Sequence, residues 1–261
     1  MILGIDFGAT TTDAVLLSKK RIVKKASAEK ISSISKLNSF LKKNNFDSSK
    51  ISRVVITGGK SASLKGKILG INPVHVSEID AIGLGAVFLS NAKKCLAVSF
   101  GTGTCIVSFE NGKTKHVIGS GVGGGTITGL SKLLVKENNI EKLMVLASKG
   151  NFGNVDLSVK HVVGGKIGLL NVDATASNFA RGCGSKADLA AAVQNMVAES
   201  VAVLAITASK QCKCNRIIFL GKGFVFPLAK KRLKAAAKVF GVKFEFPSNA
   251  GVGVAAGAAC F

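Results

Sequence analysis

The chain has no Trp and no Tyr, only 3 Pro, and just 14 acidic residues among its 261. A chain so poor in proline and with 47% hydrophobic residues is not disordered. Its length suffices to bury a sizeable core as one large or two small domains, so we expect it to fold alone. Its 30 Gly are grouped at a few places instead of being spread as linker, and these groups are the candidate sites.

The shortage of acidic residues gives a net charge of +22, from 36 Lys and Arg against 14 Asp and Glu. A field of this sign attracts anions such as nucleotides and, less specifically, nucleic acid. Nucleic-acid modules usually add aromatic or Arg-rich elements, whereas here Lys pairs are spread over the whole chain with no Tyr or Trp between them. We interpret the charge as a solvated lysine-rich surface and expect no nucleic-acid partner.

The chain also lacks an uninterrupted apolar run of the roughly 20 residues that a membrane helix needs. Its longest helical stretch, 189–209, contains Gln194, Asn195 and Glu199, and the starting sequence MILGIDFG has no basic segment before its apolar run. We therefore expect a cytoplasmic protein without a membrane partner.

The paired CxxC spacing of a zinc site and the cysteine density of a disulfide scaffold are both missing. The closest two cysteines, Cys212 and Cys214, form only a CxC. We interpret all six as small buried residues or unpaired thiols: Cys95, Cys105, Cys183, Cys212, Cys214 and Cys260.

Hydrophobic periodicity predicts that one layout of strands and helices occurs twice. In the first half it predicts strands at 2–6, 12–17, 22–26, 51–57 and 73–76, and helices at 31–41, just after Gly59 and at 78–91, the last capped by Ser77. In the second half it predicts strands at 95–100, 105–109, 115–118 and 216–220, and helices at 127–135, 140–149, 186–209 and 250–260. Strands interleaved with helices indicate an α/β class, and the repetition indicates a duplicated fold.

Each half contains a strand, a Gly/Thr turn and a returning strand. Backbone NH groups and hydroxyls in such small-residue turns suit a triphosphate, and Asp6 at the end of its strand is well placed to hold Mg²⁺ directly or through water. Either turn alone could be an ordinary hairpin, but two turns separated by a whole lobe favour a nucleotide cleft. The predicted ATP-binding residues of these turns are Asp6, Phe7, Gly8, Ala9, Thr10, Thr11, Thr12, Asp13, Gly101, Thr102, Gly103 and Thr104.

A third glycine cluster, 119–126, runs directly into a predicted helix. Its NH groups and the positive end of the helix dipole are expected to face an anion. A Walker A loop is excluded because no GxxxxGK[ST] sequence occurs. The cluster adds five predicted ATP-binding residues: Gly123, Gly124, Gly125, Thr126 and Ile127.

These motifs resemble a known family over almost the whole chain and in order. The matching segments are GIDFGATTTD, VVITGG, VSEIDAIGLGA, SFGTGT, GSGVGGGTITGL, DATASNFA and NAGVGVAAGA. They are similar to the type II pantothenate kinases of the actin, Hsp70 and sugar-kinase superfamily. The resemblance implies a two-lobed actin-like ATPase fold, with ribonuclease-H-like lobes at 1–93 and 94–261 and a last helix able to pack between them. It also implies ATP and Mg²⁺ in the cleft, pantothenate as the acceptor whose phosphorylation leads to coenzyme A, and a homodimer.

The resemblance also assigns residues. Glu78, in SEID at the start of a helix, falls on the family's general base, although an acid beside the Ser77 cap is also common for helix stability alone. Asp80 is expected to be supporting. Gly221, Lys222 and Gly223 fall on the adenine side, where Lys222 replaces a small hydroxyl residue and either contacts phosphate or ribose or is a solvated loop lysine.

Near the acceptor, Lys115 and His116 stand where the family has Arg before its glycine loop, and with Gly119 they are the predicted substrate-binding residues. His116 lacks the bidentate fork of Arg, so an exposed strand histidine is an equal interpretation. His75 and His161 are interpreted as structural.

Two other functions stay open. One is a kinase of another small alcohol, such as pantoate or an amino sugar. The other is a nucleotide-dependent dehydratase activator, which would hold an iron–sulfur cluster at a dimer interface through Cys183 or the Cys212 and Cys214 pair. A catalytically dead binding module is disfavoured because Glu78 and both turns are intact.

Overall fold

The computed structural model describes residues 1–59, 61, 64–164 and 174–261. The first half contains β1 (Ile2–Phe7), β2 (Thr11–Ser18), β3 (Arg21–Glu29), α1 (Ile34–Lys43), β4 (Arg53–Thr57), β5 (Val74–His75) and α2 (Glu78–Ser90). Its strands form one sheet in the order β3-β2-β1-β4-β5. The short helix predicted after Gly59, apart from Ser61, and Asp173 at the head of the DATASNFA motif lie outside the described residues.

The second half contains the strands β6 (Lys94–Phe100), β7 (Thr104–Glu110), β8 (Lys113–Ser120), β9 (Leu157–Ser158), β10 (Thr175–Ser177), β11 (Arg216–Leu220) and β12 (Lys243–Glu245). Its helices are α3 (Gly124–Leu134), α4 (Ile140–Lys149), α5 (Val159–Val163), α6 (Lys186–Gln211), α7 (Pro227–Phe240) and α8 (Gly253–Cys260). The large sheet has the order β12-β11-β6-β7-β8, and β9 and β10 form a small antiparallel pair.

Both large sheets repeat one connectivity. In each, the first strand pairs antiparallel with the second and parallel with the fourth, and the third and fifth strands complete the two edges. β1 therefore corresponds to β6, and β4 corresponds to β11. This repetition confirms the predicted α/β fold of two ribonuclease-H-like sheets.

The longest helix, α6, is the core element of the second half. Its N-cap is Ser185, whose side chain accepts a hydrogen bond from the amide of Asp188, while the Asp188 carboxylate accepts hydrogen bonds from Ser185 in return. Its apolar residues pack against β6, β7, β11, α3 and α7. By length and composition α6 could cross a membrane, but 67% of its apolar window is buried inside the structure, so we assign it as a core helix.

Helices α2 and α8 join the two halves. α8 packs against α2, β1 and β2. A single apolar cluster contains Val55 of β4, Ile82 of α2, Val107 of β7 and Val254 of α8. The start of α2, where Glu78 lies, is thereby held in a fixed position relative to both sheets.

The close approach of α2 and α8 depends on Gly257. A Cβ there would collide with the carbonyl oxygen of Ala81. We expect Gly257→Ala to lower the free energy of unfolding by about 2–3 kcal/mol, since overfilling a packed interior forces backbone shifts. Gly129→Ala is the matched control, because the exposed Gly129 of α3 has nothing within 4 Å of its Cβ position. Alanine there should stabilise the helix by up to about 1 kcal/mol. Urea denaturation measures both, and equal effects would contradict the packing account.

Candidate functional site

The two predicted phosphate turns lie together in the fold. Oγ1 of Thr10 and Oγ1 of Thr102 are 3.3 Å apart, although 92 residues separate them in the chain. Within the described ranges, the backbone NH groups of Gly8, Ala9 and Thr10 donate to no other group, and neither do those of Thr102 and Gly103. Free amides and hydroxyls from both halves thus converge at a place that suits a phosphate chain.

The third glycine cluster supports the second turn. The amide of Gly124 donates to the carbonyl of Gly101 at 2.8 Å, and that of Gly125 donates to Thr102 at 2.9 Å. Glycine is needed for this contact, because a Cβ at Gly123 would lie 2.5 Å from the Thr102 carbonyl oxygen. The prediction of free NH groups at the start of α3 is therefore wrong. A role in ATP binding, through the shape of the turn, stays a prediction for Gly123, Gly124, Gly125, Thr126 and Ile127.

Asp6, the next-to-last residue of β1, lies in a row of polar residues. Strand register places it between Thr57 of β4 and Asp13 of β2, and paired residues of neighbouring strands point to the same face. Oδ1 of Asp6 is buried without a hydrogen-bond partner among the described residues, and so is Oγ1 of Thr57. Gly58, with a φ of 94°, leaves space beside the Asp6 carboxylate, since a Cβ at this position would lie 2.8 Å from Oδ1.

The electrostatics of Asp6 favour a bound cation. Burial, with the carboxylates of Glu78 and Asp13 adding to it, raises the pKa of Asp6 from 3.8 to about 7, while Lys222 acts in the opposite direction. The unpartnered oxygens of Asp6 and Thr57 are hard donors, so these residues fit Mg²⁺. Thr57 was missed in the sequence, although its place at the end of a buried strand before two glycines was a usable signal.

Glu78 is the first residue of α2, and its side chain is exposed. In the part of the chain that the structure describes, it forms no hydrogen bond or ion pair. Its charge acts on Asp6, and together with burial, the larger cause, it raises the pKa of the Cys105 thiol to about 11. Glu78 therefore lies close enough to Asp6 and to Cys105, at the start of β7, for its charge to act on both, and its carboxylate is available to a substrate.

Asp80 supports this geometry, as predicted. Its carboxylate accepts hydrogen bonds from Ser77 Oγ at 2.6 Å and from Thr114 Oγ1 of β8. Since the amide of Asp80 in turn donates to Ser77 Oγ at 3.0 Å, the first turn of α2 is capped and tied to β8.

A bulge in β8 decides which of the predicted substrate residues face Glu78. His116 pairs with Val107 and Gly119 pairs with Cys105, which puts both on the α2 side of the sheet. A Cβ at Gly119 would lie 3.6 Å from Nε2 of His116, so the ring lies over this glycine. Lys115 points to the opposite face, because neighbouring residues of a strand alternate.

The environment of Cys212 agrees with this placement. Burial raises the pKa of this thiol at the end of α6, and the charge of Lys115 opposes the rise. The structure thus brings His116 and Gly119 to the site and does not bring Lys115 there.

The loop after β11 reaches across to the first sheet. Nζ of Lys222 lies 2.6 Å from Oδ1 of Asp13 and 3.3 Å from Oγ1 of Thr11. The interpretation of Lys222 as a solvated loop lysine is therefore wrong, because its ammonium is held by a buried carboxylate. Cys105, which lies within reach of the Glu78 charge, was also not predicted to lie near the site.

The remaining cysteines and histidines do not assemble a metal centre. Cys95 and Cys214 are buried, while Cys183 and Cys260 are exposed. No group of three His, Cys, Asp or Glu side chains suited to a metal occurs among the residues described. His161 caps α5 through Ser158, with Nδ1 2.7 Å from Oγ, which agrees with its structural interpretation.

Solved structures share this fold at low sequence identity. The activator of 2-hydroxyisocaproyl-CoA dehydratase from Clostridium difficile, solved with ADPNP, has a TM-score of 0.69 and 16% identity, covering 99% of this chain and 92% of that one. A ROK family glucokinase from Streptomyces griseus, in complex with glucose and AMPPNP, has a TM-score of 0.63 and 12% identity, covering 99% and 98%. The two-lobed actin-like ATPase fold is confirmed.

Relatives found by sequence identify the family more specifically than the fold does. The protein-family model described as Fumble matches residues 89–241. A type II pantothenate kinase from Bacillus cereus is 32% identical over 232 residues, which cover 84% of this chain and 82% of that protein. The chain belongs to the type II pantothenate kinase family.

Proposed function

We propose that the protein is an ATP-dependent pantothenate kinase, which transfers the γ-phosphoryl group to the terminal hydroxyl of pantothenate and yields 4'-phosphopantothenate for coenzyme A synthesis. The observation that carries the proposal is the exposed carboxylate of Glu78, which has no described protein partner and lies within the electrostatic reach of Asp6. Relatives named type II pantothenate kinase support the acceptor, and structural neighbours solved with ADPNP or AMPPNP support ATP.

The phosphate turns bind and orient the nucleotide in this proposal. The free amides of Gly8, Ala9 and Thr10 face one side of the phosphate chain, and the Thr10 and Thr102 hydroxyls add donors from both halves. Asp6 and Thr57 would hold Mg²⁺, which when bound neutralises charge on the phosphates. Positioning and charge neutralisation supply most of the rate acceleration in phosphoryl transfer.

Glu78 then accepts the proton of the acceptor hydroxyl. At the same time the hydroxyl oxygen bonds to the γ-phosphorus, and the bond between that phosphorus and the leaving ADP oxygen breaks. Ser77 and Asp80 hold the first turn of α2, and Thr114 ties it to β8, so the carboxylate is aimed by elements that are fixed on both sides. General base catalysis of this kind contributes roughly 10²–10⁴-fold.

The acceptor lies, in this proposal, on the α2 face of β7 and β8, next to Cys105, His116 and Gly119. The absence of a side chain at Gly119 leaves room beside the His116 ring. A single imidazole donates one directed hydrogen bond to a carboxylate or hydroxyl of the acceptor, where Arg would donate two.

Turnover on a panel of alcohols tests the acceptor. We expect pantothenate to be used in preference to pantoate, pantetheine, N-acetylglucosamine and glycerol. His116→Ala should raise the KM for pantothenate about tenfold, the loss of one hydrogen bond to a polar group, with the KM for ATP unchanged. Lys115→Ala, on the opposite face, is the matched control and should change neither constant by more than twofold. Turnover on another alcohol alone would retain the kinase and discard pantothenate.

The dehydratase-activator alternative rests on the structural likeness to the Clostridium difficile activator. It requires exposed cysteines from each subunit at a dimer interface, a requirement that Cys183 meets and that the pair of Cys212 and Cys214 does not, because Cys214 is buried. Iron content and colour of the protein as purified discriminate: a brown, iron-containing protein would support the activator, and a colourless one would contradict it.

We also propose a cytoplasmic homodimer. The dimer is supported by Leu133 of α3, Val145 of α4 and Val203 of α6, which are apolar yet more than half exposed on helices of which α3 and α4 both pack against α6. Apolar side chains concentrated on adjoining helices are typical of subunit interfaces.

A further inference from the structure

Lys222 links the second half of the molecule to the first. Its Nζ donates to Oδ1 of Asp13 at 2.6 Å and to Oγ1 of Thr11 at 3.3 Å. Both acceptors lie on β2, which begins directly after the first phosphate turn. The lysine therefore contacts the strand that fixes where that turn ends.

The ion pair is shielded from water on the Asp13 side. The side chain of Asp13 is 8% exposed and that of Lys222 is 37% exposed. Oγ of Ser27, on β3, donates to the same Asp13 oxygen. Exposed ion pairs contribute little to stability, but a buried carboxylate that loses its cation is left with an uncompensated charge. The contact is thus a firm link between the halves.

The backbone of Lys222 is held just as firmly at the second phosphate turn. The preceding residue, Gly221, has a φ of 90°, and its amide donates to the carbonyl of Ala250 at 2.9 Å. A Cβ at Gly221 would lie 2.5 Å from the carbonyl oxygen of Phe100, the residue immediately before the second turn. The lysine therefore spans from the base of one phosphate turn to the base of the other.

We propose that Lys222 is a positioning residue that, through its ion pair with Asp13, sets the separation of the two phosphate turns required by ATP. The inference rests on the proposed ATP site and is independent of which alcohol accepts the phosphoryl group. The ammonium acts on the nucleotide through Asp13 and the turns and is not itself a phosphate ligand.

A double-mutant cycle in nucleotide binding tests this. The probe is N-methylanthraniloyl-ATP with Mg²⁺, titrated by fluorescence into the full chain and into the Lys222→Met, Asp13→Asn and doubly substituted variants. We expect each single substitution to weaken binding about tenfold and the double substitution to weaken it about tenfold as well, because both break one link. A loss near a hundredfold in the double variant, or no loss in Lys222→Met, would overturn the proposal.

Lys25→Met is the matched control. Nζ of Lys25 also crosses between the halves, to Oδ1 of Asn249 at 2.6 Å, but its partner is neutral and the lysine is exposed. We expect Lys25→Met to change nucleotide binding by less than twofold. A tenfold loss would show that any lysine contact between the halves is needed, and it would overturn the specific role of the ion pair between Lys222 and Asp13.

Thermal unfolding shows whether each variant is folded. If Lys222→Met does not fold, Lys222→Arg and Asp13→Asn carry the test: the arginine should bind within threefold of the natural protein, and the asparagine should lose about tenfold. The opposite order would overturn the proposal.

Natural protein that binds no nucleotide would refute the ATP site itself and this inference with it, whereas nucleotide binding without pantothenate turnover would refute only the acceptor.

Discussion

Substitution of Glu78 by glutamine is expected to lower kcat about 1,000-fold and to leave binding of Mg-ATP within twofold of the natural value. The amide preserves the size and polarity of the side chain but cannot accept the proton of the attacking hydroxyl, so it removes an interaction made only during the reaction. Release of ADP in a coupled assay measures kcat, and fluorescent nucleotide titration measures binding.

The same variant decides whether Glu78 is instead only a stabilising acid at the start of α2. In that case Glu78→Gln would cost about 0.3–1 kcal/mol of stability through the helix dipole and leave kcat nearly unchanged. Glu110→Gln is the matched control, because Glu110 is an exposed glutamate whose ion pair with Lys94 at 2.9 Å lies at the far end of β7. A decrease of less than tenfold in kcat for Glu78→Gln would contradict its role as base.

Asp6→Asn is expected to have the second largest effect, a loss of about 100-fold or more in kcat. The substitution removes the anionic oxygen that fits Mg²⁺ and leaves the strand pairing of β1 intact. Besides activity, it should abolish the enhancement of nucleotide binding by Mg²⁺. Asp47→Asn, at an exposed turn of the same half, serves as the control and should retain that enhancement.

The pH dependence of stability gives an independent measurement on Asp6 in metal-free protein. Because burial and neighbouring carboxylates raise its pKa from 3.8 to about 7, the folded state binds a proton that the unfolded state releases between these values. The contribution of Asp6 is thus fully present below pH 4 and is lost as the pH rises through 7, on the order of 2–4 kcal/mol. The difference in unfolding free energy between natural protein and Asp6→Asn should fall over this range. A constant difference would contradict the raised pKa.

Local patterns in the sequence predicted the α/β class and the duplicated layout, whereas the actin-like fold and the role of Glu78 came from the resemblance to the pantothenate kinases. The helix at Ile140–Lys149 and the strand at Arg216–Leu220 occur with the predicted bounds, and Ser77 caps α2 as expected. Strong periodicity and capping residues make such elements readable without tertiary information. The repeated strand-turn-strand units likewise led to the two phosphate turns.

Features that depend on distant partners could not be read in this way. The glycines at the start of α3 suggested free amides, but only the fold brings Gly101 and Thr102 within reach of them. The bulge in β8 separates Lys115 from His116, and no residue in the strand signals that irregularity. The partner of Lys222 lies 209 residues away in the chain.

Helix α7 and strand β12 were missed for a different reason, since the sequence carries signals for the helix. Pro227 occupies the first turn, where its missing NH costs nothing, and Gly241 ends the helix with a φ of 64°. The intervening lysines repeat on the outer face while Ala229, Leu233 and Ala237 are buried at helical spacing. These caps and this spacing are sufficient to predict the helix.

In the proposed function, the cleft between the two phosphate turns transfers a phosphoryl group from ATP to pantothenate. Phosphorus NMR and mass spectrometry of a mixture of the natural protein, Mg-ATP and pantothenate measure this most directly. We predict a product that is heavier than pantothenate by one phosphoryl group, carried on its terminal hydroxyl, formed together with an equal amount of ADP. Unchanged pantothenate, from a protein that binds Mg-ATP under the same conditions, would contradict the claim.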